Sequence, residues 1–168
     1  MRALVGQFAP GSRWYRARPV ELEGQPSWTL GQMRAIWART FGRDTGRMVE
    51  ALLHRDWSQL ACVPWPAEAV AERRPEWAYV VGMGRAVRPE ASGSAVVGQM
   101  GVDGPADDDG WAYLWEAKFG ALHVYAAHRG RWHHLATLPA DVWAGMTEQL
   151  VIDVEARFSW LEREEKAA

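Results

Sequence analysis

An α+β fold is what this 168-residue sequence predicts: an antiparallel sheet of five to seven strands, with an inserted helix pair and a long C-terminal helix packed on one face. Three observations predict it. The hydrophobic period is helical from Thr29 through the Asp44 segment, alternates between Glu76 and Leu138, and returns to steps of three or four from Trp143. The first 22 residues divide around Pro10 and Gly11 into two strand-length pieces. A hydrophobic content of 48% suffices for one core, so a single domain over residues 1–168 is expected, without repeat or long linker.

Taken in order, Ala3–Phe8 and Trp14–Leu22 form a hairpin, with Pro19 favouring an edge position in the second strand. Thr29 and Gln32 have capping-box spacing and open a helix with an apolar stripe of Leu30, Met33, Trp37 and Phe41, stopped by Gly42. Asp44 caps a second helix presenting Met48, Leu52 and Trp57, antiparallel to the first. Val63–Pro75 is punctuated by proline and holds at most two helical turns after Pro66. Trp77–Met83, Ala95–Met100, Trp111–Ala117, Leu122–Ala127 and Trp132–Leu138 then read as a meander. Trp143, Met146, Leu150, Val154, Phe158 and Leu161 line one face of a closing helix.

Composition excludes several classes. A lone cysteine, Cys62, rules out a disulfide framework, and no apolar run approaches the ~18 residues of a membrane span. Met1–Ala9 is only a short apolar patch, so a cytoplasmic protein with no membrane partner is expected. Of 19 basic residues 17 are arginine, a bias that a GC-rich genome explains without function. Charge is uneven: residues 1–89 hold 13 basic against 8 acidic residues, and residues 90–168 hold 6 against 13. Eleven tryptophans are more than a core of this size ordinarily uses, and exposed ones would mark a binding surface.

The candidate sites follow from these patterns. Among His123, His128, His133 and His134, a two-residue loop at Arg129-Gly130 would set Tyr125 opposite His134 and Ala127 opposite Trp132. His123, Tyr125, Trp132 and His134 then share a face, and His133 points away. A zinc site needs three or four convergent ligands, so two same-face histidines predict no metal, and no cofactor motif is present. Trp111, Tyr113 and Trp115 share a face of the preceding strand. Joined to Tyr125, Trp132 and His134 they make either the surface that receives the C-terminal helix or a stacking platform. The acidic run Asp103, Asp107, Asp108, Asp109 lacks the alternate spacing of a calcium loop and reads as solvated. Gly82-Met83-Gly84 reads as a turn or bulge, and Cys62 as a buried thiol. Glu50, Asp56 and Glu116 have no spacing that pairs them as acid and base.

Glu23-Gly24-Gln25-Pro26 followed by Leu30-Gly31 at a helix opening, with Trp111-Ala112-Tyr113, Val124-Tyr125 and Trp132 downstream, resembles a set of small proteins from actinobacteria and their phages. That set carries an Asp-Gly-Tyr-Pro element before a Leu-Gly helix start. Here Glu23 and Gln25 stand in place of the Asp and Tyr. The set has no established activity, so the resemblance implies a bacterial or phage context and an architecture, not a function.

The expectation is therefore a non-enzymatic protein-interaction factor, such as an immunity, inhibitor or accessory protein, with another protein as partner. Its anchors would be Trp14, Arg16, Arg18 and Trp28, the first three sharing a strand face and the last beside Pro26. The alternative is a nucleic-acid-binding module with Arg13, Arg16, Arg18, Arg34, Arg39 and Arg43 on phosphates and the aromatic sheet face for stacking.

Overall fold

The computed structural model describes residues 1–62, 77–107 and 109–167. It is α+β, but the sheet is larger than the sequence predicts and is not wholly antiparallel. Nine strands run β1 (Arg2–Phe8), β2 (Trp14–Val20), β3 (Trp57–Leu60), β4 (Trp77–Val80), β5 (Gly84–Val87), β6 (Val96–Gln99), β7 (Asp109–Trp115), β8 (Ala121–His128) and β9 (Arg131–Pro139). Their order is β4-β5-β3-β2-β1-β7-β8-β9, with β6 also on β2, and the β1–β7 and β2–β3 pairs are parallel. The two strands missed, β3 and β5, are four residues each, too short for alternation to declare itself. Trp57 accordingly begins β3 and is not part of the second helix. Pro19 is not at an edge either. β6 covers Trp14–Ala17 and β3 meets Val20, so Pro19 falls at the gap between two partners of β2.

Helix α1 (Pro26–Ala35) starts three residues before the predicted cap, because Pro26 occupies the first turn. Thr29 does not cap it; its hydroxyl donates to the Glu23 carbonyl. A π-helical turn over Ile36–Thr40 prolongs α1, and Gly42, at φ +55°, ends the run as the sequence predicts. Helix α2 (Thr45–Leu53) is capped by Asp44, whose carboxylate accepts from the Arg47 N–H at 3.0 Å.

The closing helix divides into α3 (Ala140–Ala144) and α4 (Glu148–Ala167) at Gly145. The Arg34 guanidinium fills the break, its Nη2 donating to the Ala144 carbonyl at 2.7 Å. No helix among the described residues is long and apolar enough to cross a membrane.

The four α-helices among the described residues pack on one face of the sheet. There Trp115 meets Trp143 edge to face at 5.1 Å, Trp143 meets Trp37 at 6.3 Å, and Trp111 lies against Phe158 at 5.2 Å. Much of the tryptophan excess is thus core. Val63–Pro75, and with it Trp65, lies outside the described residues.

Glu23–Pro26 locks α1 to the sheet. Gly24 donates to the Met1 carbonyl at 2.8 Å, and a Cβ there would sit 2.6 Å from that oxygen. Its own carbonyl accepts from the fully buried Tyr113 hydroxyl at 2.7 Å, and burial raises that phenol's pKa well above its usual range. Tyr113→Phe leaves the Gly24 carbonyl without this donor, and urea denaturation should show a loss of about 1–3 kcal/mol. An unchanged midpoint would mean that the hydroxyl does not hold the loop.

Candidate functional site

The β7–β8 connection decides which aromatic rings are exposed. Glu116–Gly120 turns so that Trp115 opposes Leu122, Tyr113 opposes Val124 and Trp111 opposes Ala126. Odd residues of β7 therefore share a face with even residues of β8. The six rings expected together are divided: Trp111, Tyr113 and Trp115 lie under the helices, whereas Tyr125, Trp132 and His134 lie on the other face. The β8–β9 hairpin does have the predicted register. Arg129 and Gly130, both at positive φ, make the two-residue turn, with Tyr125 opposite His134 and Ala127 opposite Trp132.

On the second face Leu4, Tyr15, Ala17, Met100, Ala112, Leu114 and Tyr125 form a smaller apolar cluster to which no described helix residue belongs. Met100, which follows β6, belongs to it, and farther along the same loop Gly104 reaches the hairpin tip, where an added Cβ would collide with the Gly130 carbonyl oxygen. The end left open is bounded by the β1–β2 turn, Ala9–Arg13, and by Glu116–Lys118. A groove of about 890 Å³ enters there, with Phe8, Tyr125, Trp132 and Met100 on its walls, His123 and His134 along one side, and Arg13 and Lys118 at the rim. Concave sites with an apolar wall and a few convergent polar groups are where small ligands bind.

Those polar groups form one network. Glu116 Oε1 lies 2.9 Å from His123 Nε2, and His123 Nδ1 lies 3.2 Å from both His134 Nε2 and Thr137 Oγ1. Thr137 Oγ1 is also 3.1 Å from His134 Nε2. A bulge between Val124 and Tyr125 inserts an extra residue in β9 and brings Thr137 opposite His123. Alternation alone would not put a hydroxyl there, which is why sequence reasoning missed Thr137. Glu116 escaped for a similar reason, since its approach to His123 depends on the turn. His133 and His128 lie on the helix side, where their rings meet at 5.7 Å and His128 meets Phe158.

Burial lowers the His134 pKa below the usual 6.5, reinforced by His123 and by Arg157, while the Ala136 backbone acts in the opposite sense. Burial raises the Tyr125 and Tyr15 phenols, and Arg13 partly offsets the shift at Tyr125.

The other expected site residues are dispersed. Trp14, 48% exposed, and Arg16 share a face of β2, opposite Gln99 and Val97, and Val97 is 65% exposed. Arg18 is engaged internally: it donates to the Leu53 carbonyl at 2.9 Å and pairs with Asp56 at 3.1 Å. The Trp28 indole donates to the Leu60 carbonyl at 2.8 Å, fastening α1 to β3. Arg34, Arg39 and Arg43 line a separate cleft beside α4, where Arg43 stacks over Trp37 and the α1 amide of Ser27 donates to Glu155.

Asp103 accepts from the Gln99 amide, and Asp109 pairs with Arg2 at 3.0 Å. Asp108 lies outside the described residues. Gly82 and Met83 lie in the β4–β5 turn, as predicted, and Gly84 opens β5. Cys62 is half-buried, its amide held by Gln32. Among the described residues no three His, Cys, Asp or Glu side chains converge as metal ligands.

Comparison with family models, curated proteins and solved structures finds no match.

The lowered His134 pKa fixes the sign of a pH dependence. As pH falls below about 6.5 the unfolded ring takes up its proton before the folded one, so the contribution, complete above 6.5, is lost as pH falls through the lowered folded value. The urea midpoint should drop between about pH 7.5 and 5.5, and drop less in His134→Gln. Equal drops in both proteins would place the titration elsewhere.

Proposed function

We propose that the protein is a binding factor rather than an enzyme, and that its ligand enters the groove on the sheet face away from the helices. The observation that carries this reading is an aromatic wall of Phe8, Tyr125 and Trp132, left open between two cationic rim residues, Arg13 and Lys118. Rings favour a planar aromatic group, and the rim favours an anionic substituent, so the ligand class is an aromatic anion of nucleotide size. A continuous phosphate track is not supported. Of the six arginines considered for one, Arg18 and Arg34 hold internal carbonyls, Arg43 stacks on Trp37, and Arg39 lines the cleft beside α4.

A second reading, docking of a protein partner, is supported by the exposure of Trp14 and Val97 beside Arg16. Two variants separate the readings. A panel of nucleoside monophosphates, aromatic carboxylates and short single-stranded oligonucleotides is titrated against tryptophan fluorescence. Trp132→Ala should weaken whichever ligand binds by about 1–3 kcal/mol, and Trp14→Ala with Arg16→Ala should not. If no member of the panel binds, and the Trp14/Arg16 variant instead loses a protein that the wild type retains, the groove reading fails and the docking reading stands.

A further inference from the structure

We propose that the groove holds a divalent metal ion of the zinc class, bound by His123 Nδ1, His134 Nε2 and Thr137 Oγ1. The inference stands on the geometry of these three atoms and not on the ligand proposed above.

The three atoms form a nearly equilateral triangle with edges of 3.2, 3.2 and 3.1 Å. Ligands bound tetrahedrally at ~2.0–2.1 Å lie roughly 3.3 Å from one another, so one ion can reach all three atoms with little adjustment. An imidazole nitrogen has a single in-plane direction for its lone pair or proton. Each of these two nitrogens has two partners at nearly equal distance, so neither is committed to a single hydrogen bond. Hydrogen bonding alone would be better served by one short, aligned partner for each ring.

Second-shell contacts agree. A metal-bound histidine usually gives its remaining ring N–H to a carboxylate, which fixes the tautomer and raises its basicity as a ligand. His123 is placed to do this: Nε2 faces Glu116 Oε1 at 2.9 Å, and the tautomer protonated there presents a bare Nδ1 to the triangle. His134 and Thr137 are exposed, so an ion has a path in, and positions not filled by protein remain for water or for a donor atom of a ligand in the groove. Two imidazoles and a hydroxyl suit zinc, cobalt or nickel better than calcium or magnesium, which take oxygen ligands.

Charged groups surround the triangle. Glu116 faces His123 from the β7–β8 turn, Arg157 approaches His134 from α4, and Arg13 and Lys118 stand across the groove.

The test uses the full chain carrying Cys62→Ser, stripped with chelator and titrated with Zn²⁺ by calorimetry and with Co²⁺ by visible absorption. One ion per chain is expected. His123→Ala and His134→Ala should each weaken binding at least about ten-fold, and Glu116→Gln, which touches no metal, should weaken it within the roughly 10–100-fold range of second-shell changes. His128→Ala and His133→Ala, on the helix side, should leave it unchanged. Circular dichroism confirms folding of each variant, and Thr137→Val provides a change at the triangle that keeps both rings. No binding, or binding indifferent to both His123 and His134, overturns the proposal. A pair that shares one proton but takes no Zn²⁺ or Co²⁺ overturns it equally.

Discussion

The parallel pairing of β1 with β7 is the constraint on which the rest of the structure depends. It joins Ala3–Gln7 to Trp111–Trp115, more than a hundred positions apart, at the centre of the sheet. Ala3, Leu4 and Val5 are each at most 1% exposed, so this strand is buried on both faces. Because the two strands run the same way, their C-terminal ends lie together. The β1–β2 turn that carries Arg13 and the β7–β8 turn that carries Glu116 and Lys118 therefore meet at one end of the sheet, where the groove opens. An antiparallel pairing would have placed those turns at opposite ends.

The same pairing sorts side chains between two environments. Ala3, Val5, Trp111, Tyr113 and Trp115 enter the helix-covered core, and Leu4, Ala112 and Leu114 line the second cluster. The helix side is large and dense with aromatic contacts, with Arg18, Arg34 and Trp28 holding backbone carbonyls at its margins. The second face is smaller, and no described helix residue belongs to its cluster. Function is assigned to that face because its aromatic wall opens onto the His123–His134–Thr137 network and the cationic rim.

How much of this was legible in the sequence depends on range. Local signals were readable: the Asp44 cap, the Gly42 stop, the Arg129-Gly130 turn and, through it, the register that unites His123, Tyr125, Trp132 and His134. Features set by tertiary contact were not. The parity of β7 against β8 depends on a turn whose length the alternation pattern does not determine, so Trp111, Tyr113 and Trp115 were joined to the wrong face. The bulge beside Val124 moves Thr137 into the site, and the four-residue strands β3 and β5 exist only because β2 and β4 provide partners. Trp28 and Arg18 were read as anchors from residue type, yet each has a backbone carbonyl within reach that the linear sequence does not reveal.

The most direct measurement of the central claim, that the sheet face away from the helices is the working face, is a crystal structure of the protein purified from the organism that makes it, with no metal or ligand added. The account predicts density for a bound molecule against Trp132 and Tyr125, with an ion between His123, His134 and Thr137. A groove filled only with water, and a retained molecule seated instead in the cleft between α1 and α4 or on the Trp14 surface, would contradict it.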